Sequence, residues 1–278
     1  MNWLRARAVF DAKPGDFSVV HEIFESHGCS GTIEGDNPAS LSGFFTETDS
    51  AGDVTAVLGK ALLDQGATSV SFESVPEEDW AETWKQFFRP RSIGKRFLIK
   101  PSWEEAEAGE KLVIELDPGQ AFGTGEHPTT RMCVALLEDA ISAGDTVLDV
   151  GCGSGVLAIA AGRLGANKII ATEIDPPAAD VARRNLKRNG VTAQLATTGT
   201  IPAEVPPCDV VVSNIVSAVL IKLAPEIARV VKIGGTWILS GVIPDNWPDV
   251  LAAANTCGFD LSETTIQDGW LAALLIRR

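Results

Sequence analysis

A glycine-rich turn stands between a predicted strand and a predicted helix, where a ligand can approach the main chain. Residues 149–155 read DVGCGSG, which spaces Gly151, Gly153 and Gly155 as G-x-G-x-G. Glycines at these positions leave out Cβ atoms, so a bound molecule can lie against the backbone. Val156 stands where the dinucleotide fingerprint G-x-G-x-x-G needs its third glycine, which disfavours a nicotinamide oxidoreductase.

A carboxylate follows this turn at the distance expected for a ribose contact. The G-x-G-x-G spacing resembles the loop of S-adenosylmethionine sites, which have no pyrophosphate to bind, so S-adenosyl-L-methionine is the expected cofactor. Glu173 ends the next apolar strand, and a carboxylate about 20 residues after the loop can accept bonds from both ribose hydroxyls. Asp175 lies two residues on, but Pro176 and Pro177 follow it and make it the better candidate for a helix cap.

Asn214 ends a later strand, and it is the candidate for positioning the group that is modified. Ligands bind outside the carboxyl ends of strands in parallel sheets, and an Asn carbonyl there can accept a hydrogen bond from an attacking amine. Amino-nitrogen methyltransferases carry an Asn- or Asp-Pro-Pro motif here, and both prolines are absent from this chain. A lone Asn at a strand end is usually a turn residue, so its place in the fold, not its type, singles it out.

The segment 117–130, DPGQAFGTGEHPTT, forms a shaped loop before a predicted helix at 131–141. Phe122 and Gly123 are candidate cofactor contacts. Thr130 can either cap the helix or offer its hydroxyl to a cofactor. His127 is a candidate base, although a histidine in a loop is more often a structural hydrogen-bonding residue.

The elements around these residues predict an α/β fold with two domains. From residue 144 onward, apolar strands alternate with helices, which indicates a parallel, doubly wound sheet. Two last strands, 260–267 and 270–276, are joined by Asp268-Gly269, a hairpin signal. A mainly parallel seven-stranded sheet that ends in a β-hairpin is the shape of a Rossmann-like, S-adenosylmethionine-dependent methyltransferase.

The first 75 residues predict a smaller α+β domain. Strand-like and helix-like stretches follow one another as βαββαβ, the ferredoxin-like order. A helix is predicted near 80–88 and a strand at 96–100. The predicted boundaries are a ferredoxin-like domain at 1–75, a linker at 76–102 and the methyltransferase domain at 103–278.

The composition of the chain indicates which kinds of partner and which cellular location to expect. The formal net charge of −14 disfavours a nucleic-acid substrate and suits a basic protein, although acidity also aids solubility. No apolar run approaches the roughly 20 residues of a membrane helix, and the N-terminus lacks the pattern of a secretory signal. The five cysteines are scattered without C-x-x-C spacing, so we expect reduced thiols, no metal site and a cytoplasmic protein.

Several of these segments together resemble the ribosomal protein L11 methyltransferases. The resemblance rests on the run 121–130, on DVGCGSG at 149–155, on Asn214-Ile215, and on Trp84-Lys85 through Pro101-Ser102-Trp103. It implies an N-terminal substrate-recognition domain and a catalytic domain that methylates lysine side chains and the N-terminal amine of L11. It also implies cofactor contacts at Thr130, Gly151, Glu173 and Asn214. We further expect the protein to act as a monomer.

Two positions depart from the family pattern, and three other functions stay open. Glu173 replaces a frequent Asp and keeps the carboxylate, and Glu126 replaces a frequent Thr. The alternatives are a lysine methyltransferase acting on another protein, a nucleic-acid N-methyltransferase, and a cofactor-binding regulator without catalysis. The second would need the two missing prolines and a basic surface.

Overall fold

The chain divides into two compact units, Met1–Phe88 and Arg89–Arg278. The computed structural model describes residues 2–11, 18–29, 31–36, 38–46, 51–76, 89–117, 123, 125, 127–197 and 201–278. Phe122, Glu126 and the helix predicted near 80–88 lie outside the described residues. Within the described part of the chain, no helix is both long enough and apolar enough to cross a membrane.

The first unit has the ferredoxin-like order that the sequence predicts. Its elements are β1 (Asn2–Val9), α1 (Ser18–Ser26), β2 (Gly31–Asp36), β3 (Ala39–Thr46), α2 (Ala51–Asp64) and β4 (Ser69–Pro76). The strands form one antiparallel sheet in the order β2-β3-β1-β4. Phe24 of α1 and Leu58 and Leu62 of α2 are buried in one core with Leu41 and Phe45 of the sheet.

The second unit begins with a three-stranded sheet, and this moves the predicted boundary. Its strands are β5 (Arg91–Ile93), β6 (Phe97–Lys100) and β7 (Leu112–Glu115), in that order. Ile93, Phe97 and Ile99 are buried in the main core of this unit. Residues 89–102, which the sequence assigned to the linker, therefore belong to the second unit, and β7 was not predicted at all.

A seven-stranded sheet forms the body of the second unit, as predicted. Its strands are β8 (Thr146–Val150), β9 (Lys168–Glu173), β10 (Ala193–Thr197), β11 (Cys208–Asn214), β12 (Val231–Val242), β13 (Phe259–Gln267) and β14 (Trp270–Arg277). The order is β10-β9-β8-β11-β12-β14-β13. The first five strands in this order pair in parallel, and β14 pairs antiparallel with both β12 and β13. The arrangement is Rossmann-like with a terminal hairpin.

Helices connect the strands of this sheet. They are α3 (Pro128–Ala140), α4 (Val156–Leu164), α5 (Pro176–Arg188), α6 (Ser217–Val230) and α7 (Trp247–Thr256), with a 3₁₀ turn at Pro244–Asn246 before α7. The apolar side of α4 is buried throughout Val156–Ala161. Since β8 and β11 are neighbours, their carboxyl ends meet at one edge of the sheet, where the candidate residues lie.

Candidate functional site

The glycine turn joins β8 to α4 in a conformation that its glycines allow. Gly151, Gly153 and Gly155 have φ angles of +72°, +51° and +83°, a region that L-residues with side chains rarely adopt. A Cβ on Gly151 would lie 2.5 Å from Cγ2 of Ile215, which directly follows β11. The turn therefore approaches the end of β11 too closely for a side chain at 151.

Glu173 holds the turn from the neighbouring strand. The residue is 8% exposed, and Oε2 accepts the main-chain N–H of Gly153 at 2.8 Å. Oε1 accepts the N–H of Asp175 at 3.0 Å. Asp175 caps α5 instead, because its side chain accepts the N–H of Ala178 at 3.3 Å. Asp175 is thus the helix cap that the sequence predicted, and Glu173 is the carboxylate that lies beside the glycine turn.

Asp149 is a buried carboxyl group beneath the same turn. Its Oδ2 accepts the N–H of Ala158 at 3.0 Å, whereas Oδ1 has no partner among the described residues. The pKa of Asp149 is raised to about 7, mainly because the group is buried; the hydrogen bond from Ala158 opposes the shift, and the charge of nearby Glu173 adds to it. Sequence reasoning did not single out Asp149, because the glycines beside it explained the motif.

Asp117 fixes the start of the segment 117–127. Oδ1 accepts the N–H of Ser102 at 2.9 Å, and Oδ2 accepts the Ser102 hydroxyl at 2.9 Å and pairs with Arg188 at 2.6 Å. The main chain of Asp117 exchanges two 3.2 Å hydrogen bonds with the side-chain amide of Asn185. A buried Asn on α5 therefore satisfies both polar groups of the Asp117 main chain.

Gly123 is tied to the glycine turn itself. Its carbonyl accepts the Ser154 hydroxyl at 2.7 Å, and Asn185 donates to the carbonyl of Ser154 at 3.0 Å. Gly123 has φ +97°, and a Cβ there would lie 3.0 Å from Ser154 Oγ. Gly123 and Asp117 are thus connected to the glycine turn through Ser154 and Asn185, neither of which was predicted.

His127 caps α3, whereas the sequence suggested Thr130 as a possible cap. Nδ1 of His127 accepts the N–H of Thr129, and Pro128 occupies the first helical position. The helix therefore starts three residues before the predicted one. The ring meets Trp270 edge-on, with centroids 4.9 Å apart. Burial lowers the pKa of His127, and the positive charge of Arg131 lowers it further.

Thr129 and Thr130 connect the start of α3 to the end of β11 by hydrogen bonds. Both are buried, and Nδ2 of Asn214 donates to their hydroxyl oxygens at 3.1 Å and 3.4 Å. Thr129 Oγ1 also lies 2.7 Å from His127 Nδ1. The structure thus brings together His127, Thr130 and Asn214, three of the candidates from the sequence, and adds Thr129 between them.

These residues fit S-adenosyl-L-methionine. Gly151 and Gly153 bring the main chain to the edge of the sheet. Each carboxylate oxygen of Glu173 accepts one main-chain N–H and has a lone pair left for a ribose hydroxyl. Asp149 Oδ1 is an unpartnered buried acceptor at the base of the same turn. Within the described part of the chain, no cluster of three or more His, Cys, Asp or Glu side chains could hold a metal ion.

A Rossmann-like sheet with this turn, this carboxylate and an Asn at the end of β11 defines an S-adenosylmethionine-dependent methyltransferase. The sequence profile of the ribosomal protein L11 methyltransferase (PrmA) family matches residues 11–278. The chain belongs to that family.

Relatives and a solved structure agree with this assignment. A ribosomal protein L11 methyltransferase of Pelotomaculum thermopropionicum is 43% identical over 82% of this chain and 74% of its own length. One of Geobacter metallireducens is 42% identical over 84% of this chain and 81% of its own. The ribosomal protein L11 methylase structure from Lactobacillus delbrueckii subsp. bulgaricus superposes with a TM-score of 0.64 at 29% identity, covering 69% of this chain and 99% of that one.

Proposed function

We propose that this chain transfers methyl groups to amino nitrogens of ribosomal protein L11, both lysine side chains and the N-terminal amine. The observation that carries the proposal is the orientation of Asn214 at the carboxyl end of β11. Because Nδ2 donates to Thr129 and Thr130, Oδ1 points away from both hydroxyls and can accept a hydrogen bond from an amine. The name of the family supplies the protein that bears the amine.

The residues of this chain act mainly by binding and orienting. S-adenosyl-L-methionine supplies an electrophilic methyl group when it is bound. Gly151, Gly153 and Glu173 would hold it, with Thr130 and Gly123 beside it. An oxygen at Asn214 aims the lone pair of the neutral amine and stabilises the positive charge that the nitrogen gains. A lysine amine has an ordinary pKa of about 10.4, so it must lose a proton before it reacts.

We further infer that the first unit recognises the substrate, with the chain acting as a monomer in the cytoplasm and without contacting nucleic acid. The net charge of −14 supports a basic protein as the partner. The two units are built as separate compact bodies, which allows one to bind the substrate while the other performs the reaction.

The direct test is methylation of purified L11 with labelled S-adenosylmethionine, followed by mass spectrometry of each modified residue. We expect label on lysine nitrogens and on the N-terminal amine. Two matched substrates distinguish these two kinds of site: L11 with an acetylated N-terminus, and L11 with its modified lysines replaced by arginine. Label on another protein of a cell extract but not on L11, or cofactor binding without transfer, would contradict the proposal. Light scattering during chromatography tests the monomer.

Two fragments test the first unit and the boundary together. The fragment 89–278 keeps β5 and β6, so it should fold, bind cofactor and methylate L11 poorly. The fragment 103–278 lacks both strands and exposes the core that Ile93, Phe97 and Ile99 cover, so it should be much less stable. Methylation of L11 by 89–278 at the rate of the full chain would refute the recognition role.

A further inference from the structure

We propose that His127 is a positioning residue: acting through Thr129, it sets which end of the Asn214 amide faces the acceptor amine. The inference rests on the proposed function, because it says how the acceptor side of that reaction is oriented. It assigns His127 no contact with substrate or cofactor, and it replaces the prediction that His127 is a base.

The first step concerns the proton on the imidazole. A main-chain N–H can only donate, and that of Thr129 points to Nδ1 of His127 at 3.4 Å. Nδ1 must therefore present its lone pair, and in the neutral ring the proton is on Nε2. A ring in this state can take up a proton at Nδ1 only by losing the bond from the Thr129 N–H and reversing the bond with the Thr129 hydroxyl.

The second step concerns the Thr129 hydroxyl. Its oxygen lies 2.7 Å from the same Nδ1, so the hydroxyl proton points at the imidazole. The lone pairs of Oγ1 then face away from the ring and can only accept. Nδ2 of Asn214 meets them at 3.1 Å, with the Thr130 hydroxyl oxygen as a second partner at 3.4 Å. The amide nitrogen is thus held on α3, and the amide oxygen is left for the amine.

A proton on Nδ1 instead of Nε2 would reverse the direction of these hydrogen bonds. A proton on Nδ1 would occupy a lone pair of Thr129 Oγ1 and turn the hydroxyl proton away from the ring. That proton can then be donated to Asn214, and the amide accepts it by exchanging the positions of its oxygen and nitrogen. Asn214 would present two N–H donors to an amine whose lone pair must instead point at the methyl group.

The surroundings of His127 hold the ring in place and keep it uncharged. Trp270 on β14 packs against the imidazole in a T-shaped arrangement. Arg131, one turn along α3, pairs with Asp268 of the hairpin turn at 2.9 Å. Burial and then the charge of Arg131 lower the pKa of His127, so the ring is neutral near pH 7. The terminal hairpin therefore supports the acceptor side of the site.

Four variants of the full-length chain test the proposal, with L11 and S-adenosylmethionine as substrates. Thr129→Val keeps the shape of the side chain and removes the hydroxyl, whereas Thr129→Ser keeps the hydroxyl. His127→Asn places Oδ1 one bond from Cγ, as Nδ1 is in histidine, and His127→Ala removes the acceptor. Single-turnover rates at saturating cofactor should fall about tenfold or more in the Val and Ala variants. The Ser and Asn variants should stay within about threefold of wild type.

The cofactor dissociation constant and the thermal midpoint separate positioning from structure. We expect calorimetric dissociation constants for S-adenosylmethionine within about threefold of wild type in all four variants, because none removes a group from Glu173 or from the turn. Equal rates in the Val and Ser variants, or in the Ala and Asn variants, overturn the proposal. So do rates that fall only in proportion to cofactor affinity.

Nitrogen-15 NMR of the imidazoles gives a readout that needs no turnover. The chain has three histidines, and the signal of His127 is the one missing in His127→Asn. We expect the Nε2–H tautomer, and an Nδ1–H tautomer overturns the proposal whatever the activity. If the expected tautomer is found in a chain that does not methylate L11, the proposed function fails and the hydrogen-bond chain stands.

Discussion

The cofactor end and the acceptor end of the proposed site are held by different parts of the polypeptide. At the cofactor end, the main chain of Gly151 and Gly153 forms the surface, and a single carboxylate, Glu173, fixes it. At the acceptor end, side chains form the surface, and Asn214 is held by hydroxyl groups 84 and 85 residues away in the sequence. The cofactor end thus depends on backbone conformation, and the acceptor end on the direction of individual hydrogen bonds.

This difference predicts how each end fails. A change at the cofactor end should alter affinity or stability, because the backbone must take up the change. A change at the acceptor end should alter turnover at unchanged affinity, because a misdirected amide still leaves the cofactor surface intact. The following predictions test that separation, in order of the size of the expected effect.

The largest effect concerns Asp149 and is a dependence of stability on pH. Its pKa is raised from 3.8 to about 7 in the folded chain, so between these values the folded state keeps a proton that the unfolded state has lost. The wild type therefore loses stability as pH rises through this window, on the order of 4 kcal/mol if the whole shift is expressed. Asp149→Asn removes the titration, so its stability relative to wild type should increase from pH 4 to pH 7. Urea unfolding of both proteins at several pH values measures this, and parallel curves would contradict it.

The second effect concerns Asn214 at the acceptor end. Asn214→Ala removes the oxygen that directs the amine, so single-turnover methylation at saturating cofactor should fall on the order of 10²-fold. The dissociation constant of S-adenosylmethionine should change by less than about threefold. If affinity and rate fall together, Asn214 acts as a cofactor contact; if the thermal midpoint falls instead, it is a turn residue. Either result would remove the distinction between the two ends.

The sequence predicts the cofactor end better than the acceptor end, because the first depends on backbone conformation and the second on individual hydrogen bonds between distant residues. Gly151 and Glu173 could be placed from spacing alone, because a strand, a turn and a helix in succession fix where the main chain goes. Asn214 could be placed from the rule about strand ends. The role of Thr129 could not be predicted, since its partners come from both its own helix start and β11. Two adjacent threonines after His-Pro were the available signal, and they pointed only to a cap or a cofactor contact.

The missed elements of the fold have a similar explanation. The helix α7 buries only Val250 and Ala254, so its apolar periodicity is weak. The strand β7 is four residues long. Residues 89–102 contain prolines and charges that favour a linker, and only the tertiary structure shows that Ile93 and Phe97 reach a core. Long, regular elements with a fully buried side were predicted correctly.

The third effect isolates crowding at the cofactor end. Gly151→Ala adds a Cβ that would meet Ile215 at 2.5 Å, in a residue with φ +72°. Gly190→Ala is the matched control, because Gly190 has φ +65° and nothing within 4 Å of the added atom. Both variants bear the backbone strain, so the difference in unfolding free energy, about 2 kcal/mol, reports the clash alone. Gly151→Ala should also bind cofactor more weakly than the control. Equal stability of the two variants would show that the turn and Ile215 can separate freely.

The smallest effect distinguishes the two carboxylates that follow β9. Glu173→Gln keeps the shape of the side chain but leaves one of its two main-chain donors, Gly153 or Asp175, without an acceptor. It also removes the charge that would bind ribose hydroxyls, so calorimetry should show cofactor affinity reduced about tenfold. Asp175→Asn removes an equal charge two residues away and still caps α5, since an Asn oxygen can accept the N–H of Ala178. Its affinity should stay within about twofold of wild type.

At saturating cofactor, Glu173→Gln should methylate L11 at nearly the wild-type rate, the reverse of Asn214→Ala. An equal loss of affinity in both carboxylate variants would mean that the cofactor responds to net charge near β9, and that Glu173 makes no specific contact.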